Sequence, residues 1–376
     1  MYENGSRRVA VVAGLRTPFV KSRTHFEDFS PLKLSTPVVE GLLDRADVDP
    51  ATVQLLVAGA VVPEPGRPNL AREIVLETDL PRSLDAWTLS SYCITGLRAV
   101  TSVAEAIAAG RIDSGIALGV ESLSSATRDT FREPSTGLLM GEHAEITRRA
   151  WEITREDQDR WAFESHRRAV AAQERMSSRL LPLAGAESDT GPRPDTSRAA
   201  LAGLKPAFGD DGTITAGSAS PISDGAAAVL LMSEERARRE GREPLAFLRA
   251  SEFGGVDIVD GLLMAPGVIV PRLLNRIGVP LHCLDLIEIH EAFAAQVLAN
   301  VRAWERGWKE PALGEIDWDV VNVNGGSVAL GHPWSATGVR LVSNLAYEMA
   351  ERDVTRGLIS ACAGGGLGGA LLLERR

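Results

Sequence analysis

Short β-branched runs that alternate with amphipathic helices constrain this chain most. Arg8-Val-Ala-Val-Val-Ala-Gly14 is a continuous apolar run closed by glycine, the pattern of a strand buried on both faces. Helical spacing follows over Leu32–Ala46, strand-like sequence over Val53–Val62, and another clear strand at Ile116–Val120. The alternation resumes from Pro244 onward, with strands expected at Leu284–Ile289, Val320–Val323, Leu358–Cys362 and Ala370–Glu374. Strands alternating with helices predict a layered α/β fold. At 376 residues the chain is too long for one ordinary core and carries two or three domains' worth of packing.

Between about 121 and 210 the character changes. Charges of both signs are dense and nearly balanced, Trp151, Ile153, Trp161 and Ala162 are spaced as in helices, and 185–200 is rich in Ser, Pro, Asp and Gly. This stretch reads as an inserted, mostly helical lid. Sequence of strand character returns at Thr213-Ile214-Thr215 and Ala226–Met232, and Glu234–Glu240 reads as a charged helix. The expected division is therefore 1–120, an N-terminal half; 121–210, the insertion; 211–245, the return of the first half; and 246–376, a C-terminal half.

Charge and cysteine usage exclude several classes. Forty Lys and Arg against 50 Asp and Glu leave a net charge of −10, without a basic tail, so no nucleic-acid partner is expected. Apolar runs stop far short of the ~20 residues that span a bilayer, and the polar Met1–Arg8 start does not read as a secretory signal. Three cysteines without a CxxC pair give neither a disulfide framework nor a zinc ribbon. The expected setting is cytoplasmic, with no membrane association.

Four residues stand where chemistry could occur. Cys93, in Leu89-Ser-Ser-Tyr-Cys-Ile-Thr-Gly96, falls between a strand and a helix starting near Ile94. There, helix N–H groups would lower a thiol pKa, although a buried structural cysteine fits the same position. His332, flanked by Gly331 and Pro333, is presented at the start of the next helix, either as a base for a nearby cysteine or as a turn cap. The two segments, each running strand, turn, reactive side chain, helix, strand, suggest a faint internal repeat. Cys362 precedes Ala363-Gly-Gly-Gly-Leu-Gly-Gly369. Gly364, Gly366 and Gly369 match GxGxxG, but strand-like residues follow and only seven remain after Gly369, so no dinucleotide-binding βαβ unit fits. A glycine turn between two strands accounts for it better, with backbone N–H groups able to form an oxyanion hole. His290 opens His290-Glu-Ala-Phe-Ala294 after an apolar strand. Combining these cysteines and histidines into a zinc site lacks any close ligand pair, so no metal is expected. His282 and Cys283 read as packing or surface residues.

In this order the blocks resemble the thiolase family, from Arg8 to Glu374. The resemblance rests on the Cys93 block, Ser218-Ala-Ser-Pro-Ile-Ser-Asp-Gly-Ala-Ala-Ala228, the HEAFA motif at His290, Gly325-Gly326 with Gly331-His332-Pro333 and Thr337-Gly338, and the terminal Cys362-Ala-Gly-Gly-Gly366. Asn69-Leu-Ala-Arg-Glu-Ile-Val75 and the HEAFA histidine are most similar to the branch holding the bacterial fatty-acid-oxidation thiolases and the trifunctional-enzyme β subunit. The resemblance implies two βαβαβαββ halves stacked as an α-β-α-β-α sandwich with an inserted lid. It implies a 3-ketoacyl-CoA thiolase or acetyl-CoA acyltransferase activity in lipid metabolism, without a resident cofactor, and with CoA and acyl-CoA thioesters bound as substrates by a homodimer or homotetramer. Cys93 would be the acylated nucleophile, His332 its activator and Cys362 the acid/base. His290 and His332 would form one oxyanion site, and the amides of Cys93 and Gly364 the other. Ser251, Lys205, Met140, His143 and Phe293 would contact substrate.

Departures from the family pattern bear on the acyl chain. Ser218 stands for Asn, His143 for Thr, Lys205 for Arg, and Trp334-Ser335 for a smaller pair. A short Ala126–Pro134 bridge replaces the longer insertion of the trifunctional branch, which argues against membrane docking. Two alternatives remain: a condensing enzyme of specialised metabolism within the superfamily, and a catalytically idle CoA-binding subunit.

Overall fold

The computed structural model describes residues 7–209 and 211–375; Met1–Ser6, at the polar start, lie outside it. Its strands are β1 (Val9–Arg16), β2 (Val20–Lys21), β3 (Leu55–Gly59), β4 (Asp85–Leu89), β5 (Ser114–Glu121), β6 (Ser223–Ser233), β7 (Ala246–Gly255), β8 (Leu286–Ile289), β9 (Arg356–Cys362) and β10 (Leu367–Glu374). They run in the order β4-β3-β5-β6-β1-β7-β10-β9-β8, with β2 on β6. Leaving β2 aside and reading outward from the antiparallel β1–β7 seam, the first half presents its strands in chain order first, fifth, fourth, second, third. The second half repeats first, fifth, fourth, second. In the place of its third strand a single parallel bridge joins Ile287 to Val321. The internal repeat read from two turns is thus a repeat of whole halves.

Helices complete the layers. Helix α1 (Pro31–Ala46) and α2 (Leu70–Glu77) pack Leu34, Val38, Leu42 and Ile74 on the outer face of the first half, against Leu56, Leu118 and Leu230. On the second half, α8 (Pro266–Ile277) and α9 (Ala294–Arg306) pack Ile269, Leu273 and Val297 against Ile287, Leu358 and Leu372. The middle layer is α3 (Thr95–Ala108) and α11 (Trp334–Arg352), covered on both sides. Their Val100, Val103, Val339 and Leu345 meet Val57 and Val229 from the first half and Ile359 and Leu371 from the second. Because strand side chains alternate, each half offers one apolar face outward and one inward. The outcome is the expected α-β-α-β-α stack.

Between β5 and β6 the chain leaves the sheet and forms α4 (Met140–Ala150), α5 (Arg155–Met176) and α6 (Arg198–Ala202). Trp161 and Ala162 lie in α5, whereas Trp151 caps α4 and Ile153 lies in the loop after it. The expected strand at Thr213–Thr215 is absent, because the Glu145 carboxylate takes the backbone N–H groups of Thr213 and Ile214 at 2.6 and 2.7 Å. The remaining helices are α7 (Glu234–Arg239) and the one-turn α10 (Ser327–Leu330).

Helices α3 and α11 approach through glycine. A Cβ on Gly96 would collide with the Ser335 carbonyl oxygen, and one on Gly338 would lie 2.6 Å from the Leu97 nitrogen. This contact brings the Cys93 and His332 turns, at the starts of the two helices, to the same end of the middle layer. Gly96→Ala is expected to destabilise the fold by about 1–3 kcal/mol, the usual cost of forcing extra volume into a filled core. The loss is read as a lower urea midpoint, and an unchanged midpoint would show that the helices can slide apart freely.

Candidate active site

Cys93 sits on a tight elbow. The preceding Tyr92 is held at φ 49°, a left-handed conformation that a bulky side chain rarely adopts. Thr95 pins the turn: its hydroxyl donates to the Tyr92 carbonyl and accepts from the Ser91 N–H, both at 2.6 Å. The Tyr92 ring lies over Gly364 and Gly365, so the elbow of the first half rests on the glycine turn of the second. That turn links β9 to β10, with Gly365 and Gly366 at φ 70° and 69°, as expected of a glycine connection between strands.

Cys93, Cys362, His332 and Gly364 line one cavity of about 500 Å³. The backbone N–H groups of Gly364 and of Cys93 itself lie near the Cys93 sulfur and act to lower its pKa. Desolvation nevertheless pushes this thiol up to about 12, with the nearby Glu121 carboxylate adding to the rise. The sequence expectation of a lowered pKa is therefore reversed: two N–H contacts at a helix start do not offset loss of water. Cys362, at the end of β9, is fully buried. Its thiol is raised well above the ordinary value by burial and then by the neighbouring Cys93.

His332 is held by its backbone N–H to the Pro221 carbonyl at 3.2 Å. Gly331 before it, at φ 102°, leaves no room for a Cβ against Ser223. The His332 Nδ1 lies 2.7 Å from Thr337 Oγ1, and its Nε2 is buried without a partner. His290, at the end of β8, stacks beside it with ring centroids 4.1 Å apart. Its Nδ1 is 2.9 Å from Ser327 Oγ, and its Nε2 is likewise unpartnered. Burial keeps both imidazoles neutral, holding His290 down at about 3 and His332 well below its usual value; the charge of Arg340 acts in the same direction on both. Two neutral rings thus leave an unused Nε2 each among the described residues, and of the two only His332 is among the residues lining the cavity.

Glu291 organises the surroundings. Its carboxylate accepts from Asn322 Nδ2 (2.7 Å), Ser165 Oγ (2.8 Å) and the Val328 N–H (3.0 Å), tying β8 to α5 and to the start of α10. Sequence reading passed over this residue, although it is the second letter of HEAFA.

Of the other expected substrate contacts, Met140 and Phe293 line the cavity. The remaining three are not among its lining residues. His143 is buried, with its Nε2 2.8 Å from Thr136 Oγ1. Lys205 is exposed near the lining residue Ala207 and makes no ion pair among the described residues. Ser251 lies in β7 opposite Leu371, and its carbonyl accepts from Arg276. The cavity wall includes Phe131, packed edge-on against Trp334 at 5.4 Å, and Phe208, edge-on to Phe293 at 6.1 Å. Phe131 was missed, since a single aromatic in a short polar bridge carries no periodic signal.

Comparison with known proteins shows the family and the fold. The family models described as "Thiolase, N-terminal domain" and "Thiolase, C-terminal domain" match residues 9–138 with 127–235, and 242–375. The chain is 39% identical over 421 aligned residues to the 3-ketoacyl-CoA thiolase of Serratia proteamaculans (strain 568), covering 98% of this chain and 97% of that protein. The 3-ketoacyl-CoA thiolase of Shewanella woodyi matches with the same identity and coverage. Among solved structures, the Bacillus anthracis acetyl-CoA acetyltransferase superposes with a TM-score of 0.92 at 32% identity, over 99% of this chain and 100% of that one. Human mitochondrial 3-ketoacyl-CoA thiolase in complex with CoA superposes with a TM-score of 0.90 at 29% identity, over 98% of each chain. With two cysteines from separate halves facing one cavity, and with these full-length matches, the chain belongs to the thiolase family.

Proposed function

We propose that this acyltransferase cleaves 3-ketoacyl-CoA with CoA to acyl-CoA and acetyl-CoA, or runs the reverse Claisen condensation, through an acyl-Cys93 intermediate. The observation that carries the reading is the shared cavity of Cys93, His332 and Cys362. The resting site is uncharged, because burial raises both thiols and lowers both imidazoles. His332 Nε2 takes the Cys93 proton as sulfur attacks the 3-keto carbon, so charge forms only when the oxyanion does. The N–H groups of Cys93 and Gly364 hold that oxyanion. Its collapse breaks the C2–C3 bond and places the electron pair on the acetyl-CoA enolate, whose oxygen faces the Nε2 atoms of His290 and His332. The Cys362 thiol protonates C2, and acetyl-CoA departs. CoA then enters, gives its thiol proton to the Cys362 thiolate and attacks the acyl-Cys93 thioester. The released Cys93 sulfur recovers its proton from His332. CoA is a substrate, and no resident cofactor enters the cycle.

Thiolysis of acetoacetyl-CoA and longer 3-ketoacyl-CoA esters, followed by loss of enolate absorbance, tests the reading. No turnover at any chain length would reject it. Trp334 and Phe131 form an apolar wall of the cavity. Trp334→Ala is expected to raise kcat/KM for long acyl chains relative to acetoacetyl-CoA about tenfold, the scale of pocket discrimination by a few methylenes. An unchanged length profile would remove Trp334 from substrate selection.

The same reading includes contact of Lys205, His143 and Ser251 with CoA or the acyl chain, the division at residues 120, 210 and 245, and a homodimer or homotetramer. Strand β4 supports the last, since among the described residues it pairs only with β3, and it presents Trp87 at the open sheet edge. A cytoplasmic setting is supported by the three free cysteines, and no helix among the described residues is long and apolar enough to cross a membrane.

A further inference from the structure

We propose that Ser327 and Arg340 are positioning residues that lock His290 in the tautomer carrying its proton on Nε2, and that this chain of hydrogen bonds serves the enolate step rather than acyl transfer. The proposal rests on the thiolase reading for its chemistry, but its tautomer claim can be tested without turnover.

The argument is one of proton accounting. Arg340, in α11, is fully buried, and its Nη2 donates to Ser327 Oγ at 3.3 Å. A guanidinium only donates and does not lose its proton in a protein, so Ser327 oxygen must accept on that side. The only other partner of this hydroxyl among the described residues is His290 Nδ1, at 2.9 Å. If His290 kept its proton on Nδ1, the hydroxyl oxygen would accept twice and its own hydrogen would be buried without an acceptor, at a cost of about 1–3 kcal/mol. When Ser327 donates to Nδ1 instead, its oxygen accepts from Arg340, its hydrogen has an acceptor, and the hydroxyl is fully satisfied. The His290 proton then sits on Nε2, the atom left without a partner beside His332.

Arg340 itself is poorly compensated. Among the described residues its Nε and Nη1 have no hydrogen-bond partner, and the nearest carboxylate oxygen, Glu288 Oε2, is 3.9 Å from Nη1. Such a buried cation is a weak stabilising device. As a fixed positive charge behind Ser327, however, it orients the hydroxyl hydrogen toward His290 and discourages a proton on Nδ1. His332 is wired differently. Its Nδ1 faces Thr337 Oγ1, which contacts no cation among the described residues and can either donate or accept that hydrogen bond. One ring is therefore a fixed N–H donor, suited to an enolate oxygen, and the other can alternate between base and acid.

The test separates the two half-reactions. Deuterium uptake from D₂O into the methyl group of acetyl-CoA reports the enolate step, and exchange of isotopically labelled CoA into acetyl-CoA reports acyl transfer through Cys93. Ser327→Ala is expected to slow deuterium uptake at least 30-fold while labelled-CoA exchange stays within threefold, and Ser327→Thr, which keeps the hydroxyl, is expected to restore uptake. Equal losses in both exchanges, or no loss in uptake, would overturn the proposal. The ¹⁵N shifts of the His290 ring in the unmutated protein provide a second measurement that needs no variant to fold. A pyridine-type Nδ1 and pyrrole-type Nε2 support the lock, and the opposite assignment overturns it. If the unmutated enzyme catalyses neither exchange, the functional reading fails and the enolate role with it, while the ring spectrum still decides the tautomer.

Discussion

Replacing Cys93 with alanine is expected to abolish thiolysis, with a loss of at least about 10⁴-fold, because the acyl group then has no covalent carrier. Labelled-CoA exchange should vanish with it, and intact-mass measurement should no longer detect a hydroxylamine-labile acyl adduct after incubation with acyl-CoA. The unmutated protein should show one such adduct, located at Cys93. Of the two cavity sulfurs, Cys93 has a partly exposed face and Cys362 is fully buried; Cys283 is also partly exposed, so iodoacetamide labelling is followed on the Cys93 peptide. The pH dependence has a definite sign. Burial pushes the Cys93 thiol up to about 12, so the thiolate fraction, and with it the alkylation rate, should rise about tenfold per pH unit from 7 to about 11 without a plateau. A plateau near pH 8 would mean that the thiol is activated in the resting enzyme, and the concerted transfer to His332 would be unnecessary. An acyl adduct persisting in Cys93→Ala would remove this residue from the mechanism.

That sign was misread from sequence for a physical reason. A helix start can be seen in a sequence, and it predicts stabilisation of a thiolate. The depth of a cavity cannot be seen, and desolvation is the larger effect here. Much of the fold was legible because buried strands advertise themselves: Val9–Val12, Ile116–Val120 and Leu358–Cys362 lie in strands with nearly every residue covered. Val320–Val323 looked like another and is not. Asn322 there takes φ 44°, and its side chain replaces the ladder, accepting from the Ile289 N–H at 2.7 Å and donating to the Ile289 carbonyl at 2.9 Å. A short turn over Trp318–Val320 ends the run on the other side. Only Val321 still bridges to β8, which is why the second half lacks a regular third strand. At the site, Cys93, His332 and Cys362 were legible because a glycine stands within three residues of each at an element boundary. Arg340 and Glu291 were not singled out, nor was Ser327 although it follows Gly325-Gly326, because the meaning of all three depends on which buried atom each one faces.

The second large effect belongs to Cys362, and it separates the two sulfurs. Cys362→Ala is expected to lower thiolysis about 10³–10⁴-fold, at the upper end of what a positioned acid/base contributes. Deuterium uptake into acetyl-CoA should fall with it, since no group remains to move a proton at C2. Acylation of Cys93 by an acyl-CoA should survive at a reduced rate, because the leaving CoA thiolate is a far weaker base than an enolate and can depart without the proton that Cys362 otherwise returns to it; the adduct should therefore accumulate to one per chain and be visible by mass. Cys362→Ser keeps the volume and a hydrogen, so packing against Leu263 and Phe293 is nearly preserved. A hydroxyl is a far weaker acid than a thiol, however, and this variant should be as inactive in C–C cleavage as the alanine. If serine restores more than a tenth of the activity, Cys362 acts through shape and not as an acid. If the alanine variant also fails to acylate Cys93, then acyl transfer depends on Cys362 as strictly as C–C cleavage does, and the division of labour between the halves of the chain is wrong. The structure favours the division. Cys93 enters the cavity on an elbow that backbone N–H groups surround, where an oxyanion can form, whereas Cys362 ends a fully covered strand among apolar side chains. In the proposed mechanism a neutral thiol is kept there with its proton until an enolate arrives to take it.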